Sequence, residues 1–128
     1  MSAPDVTPVV KRLSREQIGR YADAVGDHNP LHVDEEFARN TPFGGTIAHG
    51  MLVLASIGEM MAVAFGERWL AGGRLRVRFR APARPGDEIT ASATPQAPRD
   101  SSWVYGVECR NGRGELLISG TAEVPSGG

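Results

Sequence analysis

The stretch Ile47–Phe65 constrains this chain more than any other. It places Met51, Leu52, Leu54, Ile57, Met60, Met61 and Phe65 on different faces of a helix, leaving no broad polar face. A helix that is apolar almost all round cannot lie on a surface; it is enclosed by a core or by lipid. The run carries His49, Ser56 and Glu59 and is slightly shorter than the ~20 apolar residues needed to span a bilayer. It therefore reads as a buried helix, and the rest of the chain has to wrap it.

The second half supplies the wrapper. Leu75, Val77 and Phe79 alternate with Arg74, Arg76, Arg78 and Arg80, the period of a strand with one buried face. Pro85-Gly86-Asp87 turns the chain, Glu88 to Thr94 and Trp103 to Arg110 read as strands, Asn111-Gly112 marks a hairpin, and Glu115 to Val124 returns. Trp69, Trp103 and Tyr105 read as core or dimer-contact residues. In the first half, Val9 and Val10 suggest a strand within Thr7–Arg12. Ser14-x-x-Gln17 is a capping-box start for a helix with Ile18, Tyr21, Ala22 and Val25 on one face, ended by Gly26. Asp27 to Gly45 reads as loop, with room for one short helix near Asp34 to Arg39. One apolar helix with a run of antiparallel strands predicts an α+β fold, a curved sheet closed around the helix. Residues 1–128 form one domain in this reading, with frayed ends at 1–5 and 125–128.

A length of 128 residues, 41% hydrophobic and 23% charged, suits one globular domain. The net charge of −1 gives no argument for nucleic acid or a membrane surface as partner. Cys109 is the only cysteine, so an intrachain disulfide is impossible, and a reducing compartment follows most simply. The N-terminus lacks a basic segment followed by an apolar one; the expectation is a soluble, cytoplasmic protein.

The chemistry concentrates between Tyr21 and His32. Asp27 and His32 lie five apart, with Asn29-Pro30 between them. Pro30 lacks an N–H and disfavours a helical Asn29, so a rigid turn is expected there. An aspartate beside a histidine can serve as an acid–base pair: the carboxylate would hold the imidazole in one tautomer, and both would meet a single water. The plainer reading is a helix-end turn with a structural histidine. His28-x3-His32 imitates a zinc-helix spacing, but Pro30 removes the helix that would align the rings, and no metal is expected. A second stretch, Gly44-Gly45-Thr-Ile-Ala-His-Gly50-Met51, leads into the apolar helix. Unpaired N–H groups at a helix start, unobstructed at Gly50, could hold a carbonyl oxygen that gains negative charge. Gly44 and Gly45 read as bending residues only.

Gly-Asp-His-Asn-Pro-Leu-His at 26–32, Ile47-Ala-His-Gly-Met51, Val77-Arg-Phe79 and Pro85-Gly86-Asp87 together resemble the MaoC-like family of (R)-specific enoyl-CoA hydratases and 3-hydroxyacyl dehydratases. The resemblance runs from about Ser14 onward and departs nowhere from the Gly-Asp-x-Asn-Pro-x-His motif. It implies a hot-dog fold, a homodimer, and a hydro-lyase acting on an acyl thioester through Asp27 and His32. Asn29 would brace that pair and the Gly50 N–H would bind the thioester oxygen; His49 and Gly58 join them as substrate-binding positions. Gly58 stands where some relatives carry a small polar residue, and it either widens the acyl tunnel or lets a strand pack close. No cofactor is implied, since coenzyme A or an acyl carrier protein enters as part of the substrate. The arginines at 74, 76, 78, 80 and 84 could meet coenzyme A phosphates or an acidic carrier, or simply be the solvated face of a strand. Competing readings are a hot-dog acyl-thioesterase, and a non-catalytic acyl-binding or partner subunit of a heterodimeric dehydratase.

Overall fold

A computed structural model of the chain describes residues 2–127. In chain order the elements are β1 (Val9–Arg12), α1 (Arg15–Val25), α2 (Pro30–Val33), α3 (Glu35–Arg39), α4 (Gly50–Phe65), α5 (Glu67–Gly72), β2 (Arg74–Phe79), β3 (Glu88–Pro95), β4 (Ser102–Asn111) and β5 (Leu116–Pro125). The strands make one five-stranded sheet in the order β1-β3-β4-β5-β2, with every pairing antiparallel. This is the expected α+β arrangement, with the sheet folded around α4.

The inward residues explain the wrapping. Val53, Ile57, Met60 and Met61 of α4 are buried against Ile89 and Ala91 of β3, Tyr105, Val107 and Cys109 of β4, and Ile118, Ala122 and Val124 of β5. Burial of each larger apolar chain contributes about 1.5–3 kcal/mol, so this interface supplies much of the stability. The helix is not enclosed all round, however. Met51 is 60% and Val63 75% exposed, because the sheet covers one side of α4 only. No helix of the described residues is long and apolar enough to cross a membrane.

Several expectations need correction. At the expected loose ends the described residues make contacts: the Tyr105 hydroxyl donates to the Pro4 carbonyl at 2.7 Å beside the buried Val6, Pro125 belongs to β5, and the Ser126 amide donates to the Ser101 carbonyl at 2.8 Å. Met1 and Gly128 lie outside the described residues. The 27–45 segment holds two short helices and not one, because Pro30 opens a helical turn at its first position, where a missing N–H costs nothing. The α4 helix starts at Gly50 and not Ile47, and α5 is an addition to the expected elements. Phe79 is 55% exposed and does not belong to the buried face of β2. The hairpin after β4 is longer than Asn111-Gly112 alone: the Asn111 carboxamide oxygen accepts from the amides of Arg113 and Glu115, and Gly114 takes the left-handed conformation at φ 80°. Trp103 and Tyr105 are core residues, and Trp69 packs half-buried against them.

Gly120 carries no motif in the sequence, yet the sheet depends on it. A side-chain carbon there would run into the Arg76 carbonyl oxygen and stand 2.7 Å from Val77 Cα. Only glycine lets β2 approach β5 so closely. That approach carries β2 on to Phe79, whose ring edge lies 3.1 Å from where a Gly50 Cβ would be.

Candidate active site

The site is assembled from the end of α1, the turn of α2 and the start of α4. Ser14 caps α1 by accepting from the Gln17 amide at 3.0 Å. At the other end Gly26 adopts φ 72°, and the Gly26 and Asp27 amides both donate to the Ala22 carbonyl. This stop aims Asp27 out of the helix. Its carboxylate then accepts from the Asn29 amide at 3.3 Å.

Asn29 caps α2. Its carboxamide oxygen accepts from the Leu31 amide at 3.0 Å, and Pro30 follows as the first helical residue. Asn29 thus touches His32 only through the turn it stabilises, with the His32 amide donating to the Asn29 carbonyl at 2.9 Å. His32 is half-buried, and its Nδ1 lies 2.9 Å from the Ile47 carbonyl oxygen. A carbonyl only accepts, so Nδ1 carries the proton, and in the neutral ring Nε2 keeps its lone pair. The expectation that Asp27 fixes the tautomer is therefore corrected: the Ile47 main chain does so. Ile47 is held in turn by its own amide, which donates to Leu31 at 3.2 Å.

Donor atoms of Asp27, His32 and His49 all lie within 4.8 Å of one another. That spacing suits a shared water. The same trio could offer three ligand atoms to a cation. The His28–His32 pairing cannot, because His28 turns outward onto Asp23 at 2.8 Å.

His49 precedes α4 and is 3% exposed. Its ring stacks on that of His32 with centroids 3.8 Å apart and meets the Tyr21 ring edge-on at 4.9 Å. Its Nε2 lies 3.0 Å from the Asp27 carbonyl oxygen. Next to it, the Gly50 amide has no acceptor among the described residues, as expected of a helix's first N–H. Of the residues singled out from the sequence, Asp27, His32, Asn29, His49 and Gly50 converge here. Gly58 does not join them directly: it lies about two turns along α4 from Gly50, and a Cβ there would meet no atom within 4 Å. Close strand packing is thus excluded as its reason.

A brace behind the site has no motif to announce it in the sequence. The Glu35 carboxylate accepts from the buried Thr46 hydroxyl at 2.8 Å and from Arg15 at 3.1 Å, tying α1, α3 and the segment before α4 together. These hydrogen bonds hold the Glu35 carboxyl below its ordinary range. Gly45 leaves space for it, since a Cβ would stand 2.9 Å from Glu35 Oε1, and Gly44 turns the chain at φ 70°. The bending role expected of both glycines holds. On β2, Arg74, Arg76 and Arg78 point away from the core, and none of them forms an ion pair among the described residues.

Residues 3–111 match the model of the MaoC-like domain. The chain belongs to the MaoC-like family. It is 35% identical over 117 residues to 3-hydroxyacyl-thioester dehydratase Z of Mycobacterium tuberculosis (strain H37Rv), covering 88% of this chain and 72% of that protein. It is 35% identical over 122 residues to an (R)-specific enoyl-CoA hydratase of Rhodospirillum rubrum, covering 91% and 81%. The (R)-hydratase from A. caviae superposes with a TM-score of 0.81 at 26% identity over 98% of each chain. With that match the MaoC-like hot-dog architecture expected from the sequence is established.

Proposed function

We infer that this MaoC-like chain is a hydro-lyase for acyl thioesters, hydrating a 2-enoyl thioester to the (R)-3-hydroxyacyl thioester and running the reverse dehydration. The observation that carries the assignment of residues is an imidazole nitrogen of His32 within 4.8 Å of an Asp27 carboxylate oxygen, in a ring whose Nδ1 is taken by the Ile47 carbonyl, beside a Gly50 amide with no acceptor among the described residues. In hydration, the water oxygen bonds to C3 while the pair takes one proton from it. A proton is returned to C2 as the C2=C3 double bond is lost. Negative charge that gathers on the thioester oxygen during this exchange is met by the Gly50 N–H. Dehydration reverses each movement, and H and OH balance in both directions. Asn29 supports the geometry by capping the turn that carries His32. No cofactor takes part in this scheme, since coenzyme A or a carrier protein arrives with the substrate.

A homodimer accompanies this reading. Asp27 and Gly50 are exposed, and apolar side chains next to them, Val33, Met51 and Phe79, stand open. The β2 edge of the sheet is free to pair. A second copy would wall the acyl tunnel, and Gly58 would lie along it with space for the chain. We place the enzyme in the cytoplasm, in keeping with a lone, buried Cys109.

The test is hydration of crotonyl-CoA and longer enoyl-CoA esters, followed by loss of enoyl thioester absorbance with chiral analysis of the product. Turnover to the (R)-alcohol is expected. Release of free thiol without hydration would replace this reading with a thioesterase.

A further inference from the structure

The acid–base scheme uses Asp27 and His32 but leaves His49 unexplained. This side chain is nearly fully buried, and as the residue before α4 it makes no capping bond. Its one hydrogen bond goes backwards in the chain, to the main-chain oxygen of Asp27 at 3.0 Å. Because a carbonyl cannot donate, Nε2 is the nitrogen that carries the proton. In the neutral ring Nδ1 is then the lone-pair nitrogen, and among the described residues it is buried without a hydrogen-bond partner. A buried polar atom left without a partner is destabilising, so its presence calls for an explanation.

Three contacts say what that cost maintains. The Nε2–H holds the Asp27 backbone. The ring face supports His32 at a centroid distance of 3.8 Å and an interplanar angle of 27°. The Tyr21 ring, edge-on at 4.9 Å, fixes His49 from the α1 side. The next residue along the chain is Gly50. One imidazole thus sets the position of the carboxylate, the orientation of the base and the start of the helix whose first amide is free.

We propose that His49 is a positioning residue, held as the Nε2–H tautomer, that clasps the Asp27 main chain and floors the His32 ring so that both side chains reach one water. It does not touch substrate in this proposal, and the substrate-binding role expected from the sequence gives way to a supporting one. The proposal rests on the hydro-lyase reading for its kinetic consequence, but not for its tautomer.

Two substitutions separate the clasp from the floor. In His49→Gln the amide nitrogen can reach the Asp27 carbonyl, whereas in His49→Phe a flat ring remains with no donor. A small misplacement of catalytic groups can cost about 10²-fold in rate. Accordingly His49→Phe is expected to lose on the order of 10²-fold in kcat with KM nearly unchanged, and His49→Gln to recover to within about tenfold of wild type. Equal losses in both variants, or a loss confined to KM, would overturn the clasp. The tautomer is read directly from long-range ¹H–¹⁵N spectra of histidine-labelled wild type at mildly alkaline pH, with only three histidines to assign. His49 protonated at Nε2 and His32 at Nδ1 is the expected pattern; His49 protonated at Nδ1 would refute the proposal even if neither variant folds. An enzyme without hydratase activity would sink the hydro-lyase reading while leaving this spectrum to judge the positioning.

Discussion

If Asp27 and His32 work on one water, removing both should cost little more than removing one. Asp27→Asn is the cleaner perturbation. The new amide oxygen can still accept from the Asn29 N–H, and the side chain is exposed, so stability should change by no more than about 0.5 kcal/mol. His32→Ala loses the bond to the Ile47 carbonyl and the stacking on His49. Those are worth about 0.5–1.5 kcal/mol each, well short of unfolding a domain stable by about 5–15 kcal/mol. In activity, each single variant should fall by about 10²–10⁴-fold, or roughly 2.7–5.5 kcal/mol of transition-state stabilisation. Independent contributions would multiply to about 10⁴–10⁸ in the double variant; groups that act as a unit do not multiply. The double variant should therefore lie within about tenfold of the weaker single one. The assay is enoyl thioester hydration, with urea unfolding midpoints measured on the same preparations. A double variant that falls by the full product, or an Asp27→Asn enzyme with near-normal turnover, would refute the shared-water arrangement.

Three further outcomes follow from the same geometry. Gly120→Ala places a carbon 2.7 Å from Val77 Cα, backbone that cannot swing aside, and should lower urea stability by at least about 1–3 kcal/mol; an unchanged midpoint would mean β2 slides freely along β5. The Glu35 carboxyl sits below its ordinary range because Thr46 and Arg15 stabilise the charged form, so its stabilising effect is complete above the unfolded value of about 4.3 and is lost as pH falls through the lower folded one. Thermal scans should thus show Glu35→Gln with a shallower acid decline than wild type. Burial pushes the Cys109 thiol up, so a thiol reagent should leave the native protein unlabelled and modify it stoichiometrically only in denaturant.

Features written in short spans of chain are legible in the residues themselves. The alternation of Leu75 and Val77 with arginines, the Ser14 cap, the Gly26 stop and the apolar run into Phe65 each depend on neighbours within a turn or two. The strands and α1 lie close to where those signals put them, and α4 does so apart from its start at Gly50. The Asn29-Pro30 pair holds a helix-start signature as well, a cap followed by proline at the first position, although it reads equally as a turn. The short helix Glu67–Gly72 does not announce itself, since six residues carry too little periodicity.

What the sequence alone determined, then, is the set of chemical groups, the motif that carries them and the need for a sheet around one apolar helix. Tertiary structure decided how those groups are held. The tautomer of His32 depends on the carbonyl of Ile47, fifteen residues on, and the backbone of Asp27 is held by His49, twenty-two residues on. The N-terminal segment is tied down by Tyr105, a hundred and one residues from Pro4. A main-chain carbonyl is common to every residue and leaves no trace in a sequence. Only the fold can say which one a side chain will find.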